Sequence, residues 1–321
     1  MENERMIYIM QESDITEAVD IWVEQYGRYC RSSEAFPPNW LKETRGIASF
    51  LHKKVSDGTT IVAKQDGRLL GYLAYDEFPF NGEKSVFCPT IAHAVVDEYK
   101  EEVYLSLYQH ASQKWVDRNI FNHMWTVFYN DDRLMRILFD LGFGSYLIDA
   151  FARGDDRMIV DPGYTVNRAN LQDVEIVYGL AEESREYYRS APLFLRRDCY
   201  SRDDIKGMIQ DSNVFIARIA GEPIGFINVS VSQSDNIIDL STSNSGLIDG
   251  MGAYIKPESR NKGIGKALLK CVFDYCRENG IDGIHVDFET ANLFANRFWR
   301  RYFDPMLLSL RRTINKNIND R

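Results

Sequence analysis

A weak internal repeat constrains the fold of this chain more than any other feature of its sequence. Residues 60–72 and 214–226, offset by roughly 155 positions, both read as strand, tight turn and strand. Gly71 and Gly225 fall inside the second strand of each pair, where a glycine often marks a bulge or the close approach of another segment. The chain is therefore predicted to contain two copies of one arrangement.

Both halves continue with the same order of elements after this hairpin. Each shows a strand, a long amphipathic helix, another strand and another helix, with the strands at 86–96, 124–128, 247–255 and 284–288. A length of 321 residues suits about two domains. We therefore predict an α+β (α/β) fold of two tandem domains, 1–155 and 162–321, each with a mixed, mostly antiparallel central sheet flanked by helices. Turn-forming residues at 153–162 are predicted to join them.

The acidic balance of the chain restricts its partners. The formal net charge is −9, whereas a protein that binds nucleic acid generally needs a basic face. The same charge weakly favours a cationic or neutral substrate over an anionic one. No apolar run approaches the ~20 residues of a membrane span, and the first residues do not resemble a signal peptide. We therefore expect a cytoplasmic protein that binds neither nucleic acid nor membrane.

The cysteines and histidines predict neither a disulfide framework nor a metal site. The five cysteines are odd in number and scattered along the chain, which is not the pattern of a disulfide-rich or zinc-binding protein. The five histidines lack a ligand spacing such as His-Glu-x-x-His. No metal is therefore expected.

The clearest chemical signal lies at 260–266, where the sequence reads Arg260-Asn261-Lys262-Gly263-Ile264-Gly265-Lys266. This stretch follows a predicted strand and opens a helix predicted to begin at 263–265. The two glycines remove side chains where a ligand could touch the backbone. The free N–H groups and the dipole of the helix favour an anion there, and three cationic side chains add positive charge. The stretch is therefore predicted to hold a diphosphate.

Other phosphate-binding motifs are excluded by their spacing. The chain has no Gly-x-x-x-x-Gly-Lys-Ser/Thr motif, and Gly250-x-Gly252 lacks the third glycine of a dinucleotide fingerprint. A plain helix start that contains glycines and is flanked by surface lysines remains an alternative to a diphosphate site.

At these residues the sequence resembles the GCN5-related N-acetyltransferases, whose signature is [Gln/Arg]-x-x-Gly-x-[Gly/Ala]. The similarity extends to 221–226, 284–292 and 295–303 and covers about 164–310. The first half is similar only in element order and in the hairpin, as in members of this superfamily with one degenerate copy. The resemblance implies a sheet splayed between its fourth and fifth strands, with acyl-CoA in the resulting V. It also implies direct acyl transfer, usually of acetyl, to an amine.

The resemblance also implies which residues contact acetyl-CoA. These are Ala253, Tyr254, Ile255, Arg260, Asn261, Lys262, Gly263, Ile264, Gly265, Lys266, Asn292 and Trp299. The strand backbone would pair with the pantetheine amides, the loop would hold the pyrophosphate, Asn292 would bond the pantetheine arm, and Trp299 would flank the thioester.

The catalytic groups are less well defined by the sequence. Asp249 is predicted as the general base because strict alternation places it on one face of the fourth strand with Met251, Ala253 and Ile255. Glu289 is the second candidate, and either carboxylate could instead be an ordinary surface charge. The family's usual tyrosine acid is replaced by Trp299, which cannot serve as a general acid, so Tyr302 is a substitute candidate beside a purely packing role.

The leading hypothesis is an acetyl-CoA-dependent N-acetyltransferase whose second domain is catalytic and whose acceptor is a small amine. A non-catalytic acyl-CoA-binding sensor or interaction protein is the alternative. A third possibility is an aminoacyl- or other acyltransferase of the tandem type. The large aromatic residues of the first half are predicted to be core: Trp22, Trp40, Tyr72, Tyr75, Trp115 and Trp125.

Overall fold

The structure is a computed structural model that describes residues 6–154, 158, 160 and 163–319. Its chain divides into two units. The first contains Met1–Ile148, Asn236–Leu240 and Pro305–Arg321, and the second contains Asp149–Asp235 and Ser241–Asp304. The predicted domain boundary at 155–162 stays a prediction, and most of its residues lie outside the described ones.

The first unit holds four helices and most of the first eight strands. The helices are α1 (Ile15–Ser32), α2 (Arg45–Ser56), α3 (Lys100–Asp117) and α4 (Asp132–Asp140). The strands are β1 (Met6–Ile9), β2 (Thr60–Gln65), β3 (Arg68–Ala74), β4 (Asp76–Phe80), β5 (Glu83–Cys88), β6 (His93–Val95), β7 (Asn122–Phe128) and β8 (Gly144–Ala152), which leads into the second unit.

The second unit follows a similar order of elements, although its described residues include no counterpart of β4. Its helices are α5 (Val174–Arg189), α6 (Arg202–Asp211), α7 (Ile264–Glu278) and α8 (Leu293–Trp299). Its strands are β9 (Thr165–Arg168), β10 (Asn213–Ile219), β11 (Glu222–Val231), β12 (Gly246–Ile248), β13 (Ala253–Ile255) and β14 (Ile284–Glu289). The last strand of the chain is β15 (Asp304–Thr313). The sequence grouped this strand with the second half, but it pairs antiparallel with β7 in the first unit.

Sheet pairing is mixed and mostly antiparallel in both units, as predicted. In the first unit, β1, β2, β3 and β6 pair antiparallel in that order, while β5 pairs antiparallel with β4 and parallel with β7. In the second unit, β9, β10 and β11 form an antiparallel ladder. Strand β11 continues to both β12 and β13, and β12 pairs parallel with β14. The mixed α/β fold class is therefore confirmed.

The two long strands predicted after the hairpins are each divided in two. In the first unit, a 3-10 turn at Thr90–Ala92 separates β5 from β6. In the second unit, the chain turns between β12 and β13, where Gly250 and Gly252 have φ angles of 60° and 64°. Such positive φ values are incompatible with a continuous strand. The prediction of single strands at 86–96 and 247–255 was therefore wrong.

The break in the second unit splays its sheet. Strand β12 pairs with β14 through Ile248 and Val286, whereas β13 pairs with β11 among the described strands. The side of β13 away from β11 is thus left without a neighbouring strand. The V-shaped opening between β13 and β14 is the geometry that the sequence resemblance implies.

The hairpin glycines permit close approach of a neighbouring strand in both units. A Cβ added to Gly71 would lie 2.8 Å from the Ala94 carbonyl oxygen, and one added to Gly225 would lie 2.5 Å from that of Tyr254. The partner strands shift register at the same place, after Ala63 and after Ala217. The predicted bulge and close approach are therefore confirmed in both copies of the hairpin.

The aromatic residues of the first half lie in its core, as predicted. All six are at most 7% exposed, and several pack edge-to-face, as Tyr75 does against Trp115 at a centroid distance of 5.1 Å. Across the described residues, no helix combines the length and the apolar character that a membrane crossing requires.

Candidate functional site

The start of α7 is built around a left-handed residue. Gly263 precedes the helix with φ 83°, and Asn261 has φ 60°. The hydroxyl of Tyr164, which lies just before β9, donates a hydrogen bond to the Lys262 carbonyl of this loop. In the described part of the chain, the N–H groups of residues 263–266 have no acceptor, because the first helical bond is Ala267 to Gly263. The loop therefore presents free N–H groups as predicted.

The cations of the loop point in different directions. Lys262 and Lys266 form no ion pair with any described residue, so their charge remains available beside the helix start. Arg260 turns away from that start. Its Nε donates to the Ile255 carbonyl at 3.0 Å, and its guanidinium lies 4.2 Å from the centre of the Tyr187 ring. The Ile255 carbonyl, which was predicted to accept a hydrogen bond from pantetheine, therefore already accepts one from Arg260.

Gly265 has a packing role that the sequence did not reveal. A Cβ at this position would lie 3.0 Å from Phe298 and 3.3 Å from Ile255. The glycine therefore lets α8 and β13 approach the first turn of α7 closely. Gly263 differs, because a Cβ there would meet only Tyr164 at 3.9 Å. The glycine at 263 is required by its backbone conformation, and the one at 265 by packing.

The two cofactor-contact candidates on the last helix are engaged within the protein. Asn292 is buried at the start of α8, where its Oδ1 accepts from the Ala295 N–H at 3.3 Å and from the Tyr187 hydroxyl at 3.2 Å. Trp299 is buried between Phe298 and Phe303, at centroid distances of 4.9 and 5.3 Å. Helix capping and core packing account for both residues, and their contacts with a cofactor stay predictions.

Asp249 lies in the turn between β12 and β13, not within a continuous strand. The alternation that grouped it with Met251 and Ala253 is wrong, because Met251 is buried while Ala253 is exposed. The Ser230 hydroxyl donates to both Asp249 carboxylate oxygens, at 3.0 and 3.2 Å. Partial desolvation raises the pKa of Asp249, and this hydrogen bond opposes the rise.

A third carboxylate, Asp287, was missed by the sequence analysis. The parallel pairing ends at Ile248 and Val286, so Asp249 and Asp287 are the next residues of their two chain segments where the sheet splits, and the charge of Asp249 acts on Asp287. The Asp287 side chain is exposed at the surface of β14, yet nearby protein atoms partly desolvate its carboxylate. This desolvation raises the pKa of Asp287 to about 6, and the charges of Glu289 and Asp249 add to the rise.

Glu289 shares its face of β14 with Asp287, because side chains two residues apart lie on the same side of a strand. Its Oε1 lies 3.9 Å from Arg197 Nη2, and its Oε2 is buried without a hydrogen bond from the described residues. Arg197 also reaches the Met251 carbonyl, at 3.5 Å. The three carboxylates and Arg197 therefore surround the mouth of the V.

Tyr188 on α5 is a further group that the sequence analysis missed. Its ring lies 4.0 Å under the Arg197 guanidinium, and its hydroxyl accepts from Asn292 Nδ2 at 3.3 Å. Burial raises the pKa of Tyr188 to about 12, so the hydroxyl keeps its proton at neutral pH. Tyr302, the predicted acid, is half-buried and packs 5.2 Å from the Phe298 ring, which agrees with its packing alternative.

No group of three or more potential metal ligands lies together among the described residues.

Comparison with known proteins finds a family match within the second half of the chain. Residues 177–304 match the model of the acetyltransferase (GNAT) family, and no curated protein matches the chain. A GCN5-related N-acetyltransferase from Sphaerobacter thermophilus is similar in structure, with 15% identity, a TM-score of 0.56, and coverage of 97% of this chain and 96% of that one. A fungal glucosamine N-acetyltransferase region of a multi-domain β-N-acetylglucosaminidase has 12% identity and a TM-score of 0.54, covering 97% of this chain and 38% of that one. Residues 177–304, which are less than half of this chain, therefore match the acetyltransferase (GNAT) family.

Proposed function

We propose that the protein is an N-acetyltransferase that moves an acetyl group from acetyl-CoA to the amine of a small molecule. The observation that carries the proposal is the coincidence of two features in the second unit. The sheet opens between β13 and β14, and the end of β13 leads directly to the free N–H groups at the start of α7. A diphosphate fits such a helix start, and an extended arm fits the unpaired side of a strand.

The backbone of β13 fits the proposed role in binding. The Asn228 N–H bonds the Gly252 carbonyl, and the Lys256 N–H bonds the Ile224 carbonyl, so these groups point toward β11. Because peptide groups alternate in direction along a strand, the N–H and carbonyl of Ala253 and the N–H of Ile255 point into the V, whereas the Ile255 carbonyl accepts a hydrogen bond from Arg260. The Ala253 N–H would stabilise the oxyanion that develops on the thioester carbonyl.

The proposed reaction needs one base and one acid. A neutral amine attacks the acetyl carbonyl, so a C–N bond forms and the C–S bond breaks. Asp287 is the proposed acceptor of the amine proton, because its pKa of about 6 keeps it ionised yet basic at neutral pH. The Tyr188 hydroxyl is the proposed donor to the leaving thiolate. Asp249 and Glu289 are proposed to hold the ammonium form of the acceptor before its proton is lost.

The first experiment is a calorimetric titration with acetyl-CoA. Gly263→Glu places a side chain and a negative charge at the helix start, so we expect one site in the wild type and at least a tenfold loss of affinity in the variant. Gly280→Glu is the matched control, because Gly280 also has positive φ and open surroundings but lies at the other end of α7. Equal affinity in all three proteins, or no binding by the wild type, would contradict the proposal.

Binding of acyl-CoA without transfer is the second candidate. It is favoured by the burial of Trp299 at the position where the resemblance leads one to expect a tyrosine. A screen of primary amines, followed by the pH dependence of any transfer, separates the two functions. A protein that binds acetyl-CoA but acetylates no amine at any pH is a sensor.

A further inference from the structure

The second unit contains a pocket of about 480 Å³ between α5 and the segment that leads to α6. Four arginines line it, together with two apolar residues: Arg185, Arg189, Arg196, Arg197, Phe194 and Leu195. No acidic residue is among the lining residues in the described part of the chain. In a protein with a net charge of −9, this is a local concentration of positive charge.

The arginines are only partly neutralised by neighbouring acids. Arg185 pairs with Glu182 at 2.6 Å, and Arg189 pairs with Glu186 at 3.1 Å, both along α5. Arg196 is exposed and forms no ion pair with a described residue. Guanidinium groups bind carboxylate and phosphate oxygens through paired, charge-assisted hydrogen bonds. The pocket therefore has the chemistry to bind an oxyanion.

Phe194 gives the pocket an exposed apolar contact. Its side chain is 74% exposed, which is unusual for a residue of this size, and its φ is 48°. A bulky residue in the left-handed region costs about 1 kcal/mol. The segment thus holds an aromatic ring beside the arginines where it contributes little to the core.

Arg197 connects this pocket to the proposed transfer site. It lines the pocket and also lies 3.9 Å from Glu289 and 3.5 Å from the Met251 carbonyl, just before β13 begins. Arg185 and Arg189 are four residues apart and so share a face of α5. Tyr187, which contacts Arg260 of the pyrophosphate loop, lies on the opposite face. The pocket therefore lies at the end of the V where acyl transfer is proposed, away from the loop.

We propose that this pocket binds the carboxylate or phosphate of the acceptor, so that the substrate is a zwitterion such as an amino acid. Its acid group lies among the arginines, and its amine lies at the carboxylates of the transfer site. This inference rests on the proposed function and narrows its acceptor. It also refines the expectation from net charge, because the positive region is confined to one pocket.

The test compares matched probes by ligand-observed NMR in the presence of acetyl-CoA. One mixture contains free amino acids, and the other contains the corresponding amino-acid amides, which keep the amine but lose the carboxylate. The variants are Arg189→Gln/Arg196→Gln and, as a control, Arg202→Gln. Arg202 is an exposed arginine on α6 that pairs with Glu175 outside the pocket. Titrations with acetyl-CoA and 3′-dephospho-acetyl-CoA test the other source of an oxyanion.

We expect the free acids to bind at least tenfold more tightly than the amides. The double variant should remove this preference, the Arg202 variant should keep it, and affinity for acetyl-CoA should stay within twofold in both. No preference for acids, or a preference that survives the double variant, overturns the proposal. The proposal is also overturned if the wild type binds acetyl-CoA more tightly than 3′-dephospho-acetyl-CoA and the double variant loses this difference. The arginines would then bind the 3′-phosphate of the cofactor.

The experiment still tests the pocket if the proposed function is wrong. When acetyl-CoA does not bind, the transferase is lost, and the same acid-against-amide comparison without acetyl-CoA still decides whether the pocket recognises an oxyanion.

Discussion

The two units break the corresponding strand at the same point but surround the break with different chemistry. In the first unit, the residues between β5 and β6 are buried, and the carbonyls of Thr90 and Ile91 accept hydrogen bonds from Trp22 and Tyr72, each at 2.9 Å. In the second unit, Asp249 and Gly250 in the equivalent turn are exposed. In the first unit, side-chain donors therefore bond the backbone of the break, whereas in the second unit the residues of the break are accessible to solvent.

The strand that follows shows the same contrast position by position. The last parallel pairs are Cys88 with Trp125 and Ile248 with Val286. When these pairs are aligned, Thr126 and Phe128 correspond to the carboxylates at 287 and 289. Phe128 stacks on Tyr29 of α1 at 4.3 Å, where the second unit has Glu289 near Tyr188 of α5. The aromatic contact of one unit thus replaces the charged group of the other.

The helix that follows the broken strand also differs. Helix α3 begins at Lys100, which is buried and bound to Asp131 at 2.7 and 2.8 Å, and its first turn carries Glu101 and Glu102. Helix α7 begins after a glycine and has no acid in its first turn. An acidic helix start repels an anion. The start of α3 therefore does not favour an anion, whereas the proposed diphosphate site lies at a helix start without acidic residues.

The largest effect is expected from Asp287→Asn, which removes the proposed base. General base catalysis typically contributes about 10²–10⁴-fold, so kcat should fall by that order while acetyl-CoA affinity is kept. Because the base must be ionised, the wild-type rate should rise as pH increases through about 6. This limb of the pH profile should vanish in the variant.

The same pH profiles rank the other carboxylates. Asp249→Asn and Glu289→Gln should keep the limb near pH 6 while raising KM for the amine. If the rise in rate near pH 6 is lost in either of these variants but kept in Asp287→Asn, the carboxylate changed in that variant is the base. The difference between Asp287 and its counterpart Thr126 would then have no catalytic meaning.

The second effect concerns the aromatic counterpart of Glu289. Phe128 is fully buried, so Phe128→Ala should lower the free energy of unfolding by about 3–5 kcal/mol. Glu289→Ala should change stability by far less but should impair transfer. Urea unfolding of the two variants beside the wild type measures the difference, and an equal loss of stability would show that both positions are core.

The glycine-containing start of α7 and the hairpins were predictable because their signals are local. Gly263 and Gly265 stand beside the cations that distinguish the loop, and Gly71 and Gly225 stand in matching hairpins. These features depend on backbone conformation within a few residues.

The arrangement of the catalytic groups was not predictable, because it depends on long-range register. Asp287 lies between apolar Val286 and Phe288 and reads as the solvent face of a strand; only the pairing of β12 with β14 brings it to Asp249. Arg197 lies in a segment without periodicity. Likewise, nothing local shows that β15 pairs with β7, which precedes it by about 180 residues in the chain.

The hairpin glycines should give a smaller and nearly equal effect in the two units. A methyl group at Gly71 or at Gly225 would collide with backbone atoms of the adjacent strand, and overpacking of this kind costs about 1–3 kcal/mol. Gly71→Ala and Gly225→Ala are therefore expected to lower stability alike, as measured by thermal unfolding. Gly46→Ala, on α2 with open space around it, is the control and should not destabilise the protein.

The smallest effect is expected at the lysines beside the α7 start. An exposed ion pair between a lysine and a bound anion contributes about 0.2–1 kcal/mol, so Lys262→Gln and Lys266→Gln should each weaken acetyl-CoA binding by about 1.5- to fivefold. Salt screens such charges, and the difference from wild type should therefore shrink at high ionic strength. Lys270→Gln is the control, because Lys270 lies one turn further along α7 and pairs with Asp274 at 2.7 Å. An equal loss in the control would mean that general surface charge, and not the helix start, attracts the ligand, which would remove the contrast with the acidic start of α3.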